Sequence, residues 1–347
     1  MTKIADIFNK ESNKCYIIAE LSANHNGSKE LALQSIKVAS ECGADAVKLQ
    51  TYTADTITLN CNNDYFKIQE GTIWDGKILY DLYKEAYTPW EWHEELIEYA
   101  NRLGMECFSS PFDFSAVDFL ESLNVPAYKI ASFEINDIPL IEYVAKKGKP
   151  IIISTGIATM DDIILALQTC AEARNTQIAL LKCTSSYPAP LKEVNLLTMK
   201  DFKKRFGVIA GLSDHTIGLE VPIASVALGA KIIEKHFILD RALGGVDSSF
   251  SLNPDEFKTM VDSIRKVELA LGEVNYELTE KTIKTKRFSR SLFVSQNIKK
   301  GEKLTPQNIK SVRPNDGLAP AKYYEVLDKI AIKDLNFGEP LREDDFE

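Results

Sequence analysis

Two histidines, two lysines, several carboxylates and a set of hydroxyls in this chain each follow a short apolar run. Tyr16-Ile17-Ile18-Ala19 ends in Glu20, and Ala46-Val47 leads to Lys48 and Gln50. Cys107-Phe108 precedes Ser109-Ser110-Pro111, while Tyr128 precedes Lys129, Ser132 and Glu134. Ile151–Ile153 runs into Ser154, and Ile178–Leu181 into Lys182-Cys183-Thr184, with Ser185 and Tyr187 just beyond. Ile209–Leu212 ends in Ser213-Asp214-His215, and Ile232-Ile233 in Glu234-Lys235-His236. Imidazoles with carboxylates suit a divalent cation, and ammonium groups among hydroxyls suit phosphate or carboxylate oxygens.

Neighbouring strand ends lie ~5 Å apart, so His215 and His236 could share one ion. Spacing alone equally allows two separate polar residues. Glu20 and Asp247, which follows His236 in a glycine-rich loop, favour the ion, and oxygen and imidazole donors favour manganese or magnesium. Lys48 and Lys129 have two readings, a Schiff base or an anion clamp. A Schiff-base amine is generally single and depressed in pKa. Two lysines among Ser110, Ser132, Ser154, Ser185 and Ser213 make an anion cradle the better reading. Any one of these serines could be an ordinary turn residue, but the set is poorly explained that way. His25 precedes the turn signal Asn26-Gly27 and is ambiguous, and His93 reads as a surface or packing residue.

Eight apolar runs carrying chemistry at their carboxyl ends describe the active face of a (β/α)8 barrel. Amphipathic segments alternate with them: 28–41, 89–103 (opened by Pro89 and closed by Gly104), 160–173 and 222–228. The stretch 53–87, with Trp74, Tyr80, Tyr83 and Tyr87, exceeds an ordinary βα loop and is expected to wall the substrate. Near 277 the pattern turns charged. We therefore expect a catalytic barrel over 1–276, a linker over 277–286 and a small domain over 287–347. A domain that small has little core of its own and is often stabilised by docking onto something larger.

The 347 residues suit a barrel plus a small domain, and a net charge of -9 argues against nucleic acid. An anionic ligand must then be held by a few focused lysines rather than by a general positive field. No apolar run is long enough for a membrane span and no signal-peptide pattern opens the chain, so a cytoplasmic location is expected. The six cysteines are dispersed without a CxxC pair and read as reduced core thiols.

The segments 19–27 (AELSANHNG), 48–51 (KLQT), 129–134 (KIASFE), 154–156 (STG), 183–188 (CTSSYP), 211–216 (GLSDHT) and 234–237 (EKHF) resemble the bacterial sialic acid synthase family. The resemblance covers essentially the whole chain in order, and 298–302 (IKKGE) with Arg313-Pro314 is similar to antifreeze-like (SAF) domains. Within the family, 71–76 (GTIWDG), 82–93 (LYKEAYTPWEWH) and 244–252 (GGVDSSFSL) are most similar to the branch that makes pseudaminic acid. Sialic and legionaminic acid synthases usually carry a GPDH-like run at 245–248, and sialic acid enzymes an asparagine at the position of Ser185.

The resemblance implies condensation of phosphoenolpyruvate with 2,4-diacetamido-2,4,6-trideoxy-L-altrose, or alternatively with the precursors of N,N'-diacetyllegionaminic or N-acetylneuraminic acid. It implies that His215 and His236 ligate manganese, or else magnesium or cobalt. Lys48, Lys129, Ser110, Ser132, Ser154, Ser185 and Ser213 would hold phosphoenolpyruvate. Glu20, Glu134 and Asp247 would share water activation, aldehyde protonation and orientation of metal-bound water, with Gln50 and Tyr187 touching substrate. A homodimer is also implied, in which the C-terminal domain caps the partner's barrel and Arg313 reaches the sugar.

Overall fold

A computed structural model describes residues 2–9, 14–69, 71 and 75–347. Trp74, and with it Thr72 and Ile73 of the 71–76 run, lie outside the described residues. The chain divides into two compact units, Met1–Gly272 and Glu273–Glu347.

The first unit is a closed parallel barrel of eight strands in sequence order. These are β1 (Tyr16–Glu20), β2 (Ala46–Thr51), β3 (Glu106–Pro111), β4 (Tyr128–Ile130), β5 (Ile151–Ser154), β6 (Ile178–Cys183), β7 (Ile209–Asp214) and β8 (Ile232–His236). Ile, Val and Leu dominate because each strand is covered on both faces, by barrel interior and by helices. Register sets the heights of the polar ends: Glu20 stands beside Lys48 on one side and His236 on the other. Gln50 likewise stands beside Ser110, and Ser213 beside Glu234.

Successive strand residues point to opposite faces. Ser110 faces inward with Lys48, whereas Ser109 turns to the helical layer, where its hydroxyl meets Thr51 Oγ1 at 2.6 Å. His93 is packed there too, with Nε2 2.8 Å from the same Thr51 oxygen. Its helix runs His93–Arg102 after a tight turn at Trp90–Trp92, which shortens the 89–103 segment at its start. Asp45 fastens the opposite end of the barrel. Its carboxylate accepts from the Thr2 and Ile17 amides and from Arg265 of helix Pro254–Leu271, at 2.7, 3.0 and 2.8 Å. The cysteines are free thiols, and no described helix is long and apolar enough to cross a membrane.

The second unit carries an antiparallel pair, β9 (Ser291–Val294) and β10 (Ile309–Val312). Its own core is small and includes Leu292, Val294, Ile298, Leu304, Ile309 and Leu341. The charged stretch with which this unit begins contains a helix, Glu280–Thr285, started by the Thr279 hydroxyl accepting from Thr282 N. Arg313 follows β10 in this unit.

Gly211 in β7 is a point of close approach. A Cβ there would stand 2.5 Å from the Ile232 carbonyl and 2.6 Å from Leu181 Cδ2. Gly211→Ala should cost about 1–3 kcal/mol by overpacking, read as a lowered denaturant midpoint with the secondary structure retained.

Candidate active site

Four charged side chains, from β1, β2, β4 and β8, meet inside the barrel. Lys48 Nζ lies 2.7 Å from Glu20 Oε2 and 3.4 Å from Glu234 Oε1. Lys129 Nζ reaches the same Glu234 oxygen at 3.1 Å, and the Ser213 hydroxyl donates to it at 3.1 Å. Gln50 Nε2 donates to Glu20 Oε1 at 3.0 Å, and Lys48 donates to Ser110 Oγ at 3.4 Å. None of the four charged side chains is more than 5% exposed.

Burial opposes the Glu234 carboxylate, but Lys129 and Lys48 more than offset this and hold it down to about 2. Burial also opposes the Lys48 ammonium, yet Glu20 and Glu234 push its pKa up. Burial pulls Lys129 down, with Glu234 compensating in part. Burial pushes Glu20 up despite Lys48 beside it. Glu234 was absent from the predicted site. The signal was its spacing: two residues before His236 on a strand, the two share the inward face.

Beside this cluster stand hydroxyls without partners. Ser154 Oγ and Ser185 Oγ are buried and unbonded, an arrangement that native proteins rarely leave unexplained. Ser132 Oγ accepts from the Gly156 amide. A Cβ on Gly156 would stand 2.1 Å from Ser185 Oγ and 2.5 Å from Ser132 Oγ. Glycine is thus what lets the hydroxyl-bearing loops after β4, β5 and β6 converge, and the space between them suits anion oxygens.

The two histidines face each other with ring centroids 5.3 Å apart, flanked by Tyr187 and Phe250. His215 Nδ1 donates to the Thr184 carbonyl at 3.0 Å, so in the neutral ring the lone pair would sit on Nε2. Burial opposes its charged form, but Cys183 beside it more than offsets this and raises its pKa. His236 Nδ1 is buried without a partner. Burial and the neighbouring His215 hold His236 well below its usual pKa, so the ring is neutral, as a metal ligand must be. The carboxylates do not join them. Glu20 is turned to Lys48 and Gln50, and Asp247 accepts from the Ser22 hydroxyl at 2.5 Å. Among the described residues no three His, Cys, Asp or Glu groups cluster tightly enough to hold a metal. What this part of the site offers a cation is thus the two facing imidazoles alone, one of them with a buried unbonded nitrogen.

A cavity of about 440 Å³ opens beside these groups, lined by Gln50, Ser132, Glu134, Tyr187, His236 and Asp247 among others. Glu134 Oε2 is buried without a partner, and burial raises this carboxyl to about 7 despite Lys129 nearby. Burial also raises Asp247, which the Ser22 hydrogen bond partly counters. His25 is buried away from the ion cluster, its Nε2 3.0 Å from Thr88 Oγ1 and its ring edge on Trp92.

A parallel barrel whose mouth joins buried lysines, free hydroxyls, a facing imidazole pair and a carboxyl of raised pKa has the makings of an enzyme active site. Residues 35–276 match the model of the NeuB family and 289–347 that of the SAF domain. The chain is 52% identical to a pseudaminic acid synthase of Helicobacter pylori, covering 95% of this chain and 97% of that one. It is 49% identical to a pseudaminic acid synthase of Campylobacter jejuni, covering 96% and 97%. A solved structure of N-acetylneuraminic acid synthetase from Leptospira borgpetersenii, in complex with citrate, is similar at TM-score 0.70 and 31% identity, over 79% of this chain and 90% of that one. The chain belongs to the NeuB family and carries a C-terminal SAF domain.

The glycine gap has a direct consequence. Gly156→Ala should weaken binding of a phosphate-and-carboxylate ligand by about 10-fold or more, since about 1.4 kcal/mol is tenfold. Calorimetric titration with phosphoenolpyruvate checks this, and an unaltered far-ultraviolet spectrum would show that the fold is kept.

Proposed function

We propose that this chain condenses phosphoenolpyruvate with 2,4-diacetamido-2,4,6-trideoxy-L-altrose, releasing pseudaminic acid and inorganic phosphate. The observation that carries the reading is the buried cradle: Lys48 and Lys129 beside the unbonded hydroxyls of Ser154 and Ser185, in a barrel with an otherwise acidic balance. The choice of acceptor is supported by the two relatives named pseudaminic acid synthase at 49% and 52% identity, against 31% for the N-acetylneuraminic acid synthetase.

In this reading the ammonium groups and Ser110, Ser132, Ser154, Ser185 and Ser213 hold the donor's phosphate and carboxylate. The donor's double-bond electrons form a bond from its C3 to the aldehyde carbon of the open-chain sugar. The aldehyde oxygen takes a proton, and Glu134 is the group to give it, being buried, unpartnered and half-protonated near pH 7. Water adds to the cationic C2 and loses a proton. Glu20, held between Lys48 and Gln50, and Asp247 are the acceptors at hand. The C2–O bond to phosphate then breaks, leaving the 2-keto acid. A divalent ion such as manganese, held by His215 and His236, would supply Lewis acidity toward the aldehyde oxygen. Gln50 and Tyr187 line the acceptor's space.

The same proposal includes a homodimer, supported by the presence of both domains, in which Arg313 serves the acceptor bound to the partner's barrel.

The test is to offer phosphoenolpyruvate with each of three acceptors, the diacetamido sugars of altrose and of legionaminic configuration and N-acetylmannosamine, and to weigh the products. We expect the altrose product, loss of turnover with a chelator and recovery with manganese. Reaction with N-acetylmannosamine alone would overturn the assignment.

The Glu134 carboxyl also sets a pH dependence. Its pKa is raised to about 7, so the proton-donating form predominates below that pH, is half populated there and is lost as pH rises further. The kcat should fall along that limb. Glu134→Gln should remove the limb and lower kcat by about 10²–10⁴-fold, measured as phosphate release from pH 5.5 to 9.

A further inference from the structure

The cavity has a second chemical character that bond formation does not use. Its reactive groups come from strand ends and the loops that follow them. The segment between β2 and helix His93–Arg102 instead brings Ile57, Ile68, Leu79, Leu82, Tyr83 and Ala86 to the same cavity. Ile68 and Leu82 are buried, at 9% and 8% exposure. Tyr83 stands edge-on to Tyr52 at 5.6 Å, and Tyr52 edge-on to Phe112 at 5.2 Å, so residues of the barrel brace the wall. The segment has its own order: Lys67 and Ile78 form an antiparallel bridge, and Leu79–Ala86 is a helix. Lys67 and Tyr65 also line the cavity but are exposed, Tyr65 at 92%.

We infer that this apolar wall selects the acceptor's far end, taking a carbon that ends in a methyl group and rejecting one that ends in a hydroxyl. The inference rests on the proposed function for one thing, the direction of the acceptor. Its aldehyde must lie among the reactive groups, and five carbon–carbon bonds of about 1.5 Å then carry C6 roughly 6 Å away. Beyond the reactive groups the insertion supplies the aliphatic part of the cavity surface, with Phe112, Phe133 and Val246 of other loops contributing beside it. A terminal hydroxyl set against them loses its water without a partner, whereas a methyl gains by burial. Six-deoxy sugars are the class that presents such a methyl. The length of the insertion fits this role, since long ordered loops in compact domains usually carry function.

The experiment uses pairs of acceptors that differ only at C6, methyl against hydroxymethyl, with the full-length enzyme. In the wild type, kcat/KM should favour the 6-deoxy member by about 10-fold or more, the range a hydrophobic subsite achieves. Leu79→Asn and Ile57→Asn, both at half-buried positions that tolerate change, should each shrink that preference several-fold while KM for phosphoenolpyruvate holds. A wild-type preference under about twofold, or a preference untouched in both variants, would overturn the inference. Failure of the proposed function looks different: the best acceptor would have another configuration at C2 to C5, and the C6 pair would still report on the wall.

Discussion

A mutual neutralisation at the barrel mouth underlies the rest of the site: Lys48 between Glu20 and Glu234, and Lys129 on Glu234. A buried charge without a partner is costly, and removing one member of such a set leaves another exposed to that cost. Each of these side chains is therefore tolerable because the others are there. Backbone register makes the arrangement possible, since parallel pairing sets Glu20 level with Lys48 and His236, and Ser213 level with Glu234. The chemistry at the mouth is thus a property of the ring as a whole.

On the proposed function the cluster would also explain how an acidic protein receives an anionic donor. Its two lysines are paired with carboxylates, which raise Lys48 despite burial and counter the burial of Lys129 in part. An arriving phosphate or carboxylate offers them new partners, while Ser154 and Ser185 have hydroxyls already free. Affinity then comes from an exchange of partners in a dry site, where hydrogen bonds to ions are strong. Ser213 bonds to Glu234, so it too would change partner to hold the donor.

Strands and their closure were legible because apolar runs of fixed length with polar ends have few other uses in a chain of this size. Lys48, Lys129, His215 and His236 could be read for the same reason, as cationic or imidazole side chains set in or directly after apolar strands. Parity along the strand was harder to use. Ser109 and Ser110 look alike in sequence, yet one faces the helices and the other the mouth. Glu234 was passed over beside a histidine although it shares that histidine's face. Gly156 was invisible as a functional position, because what it contributes is the absence of a Cβ between two hydroxyls that meet only in three dimensions. The expected carboxylates of a metal site lie close by, but hydrogen bonds to Gln50 and Ser22 turn them elsewhere, and sequence carries no such orientation.

Catalysis and selectivity are therefore built from different materials. The barrel supplies charges and hydroxyls whose positions depend on every neighbouring strand, so a change there disturbs several partners at once. The insertion after β2 supplies apolar side chains on a locally ordered segment with its own bridge and helix. Among its described residues none bonds to a member of the ion cluster, so substitutions there should leave that cluster intact. A framework divided in this way can keep one condensation and change its acceptor, since the groups that make and break bonds are not the ones that meet the sugar's far end.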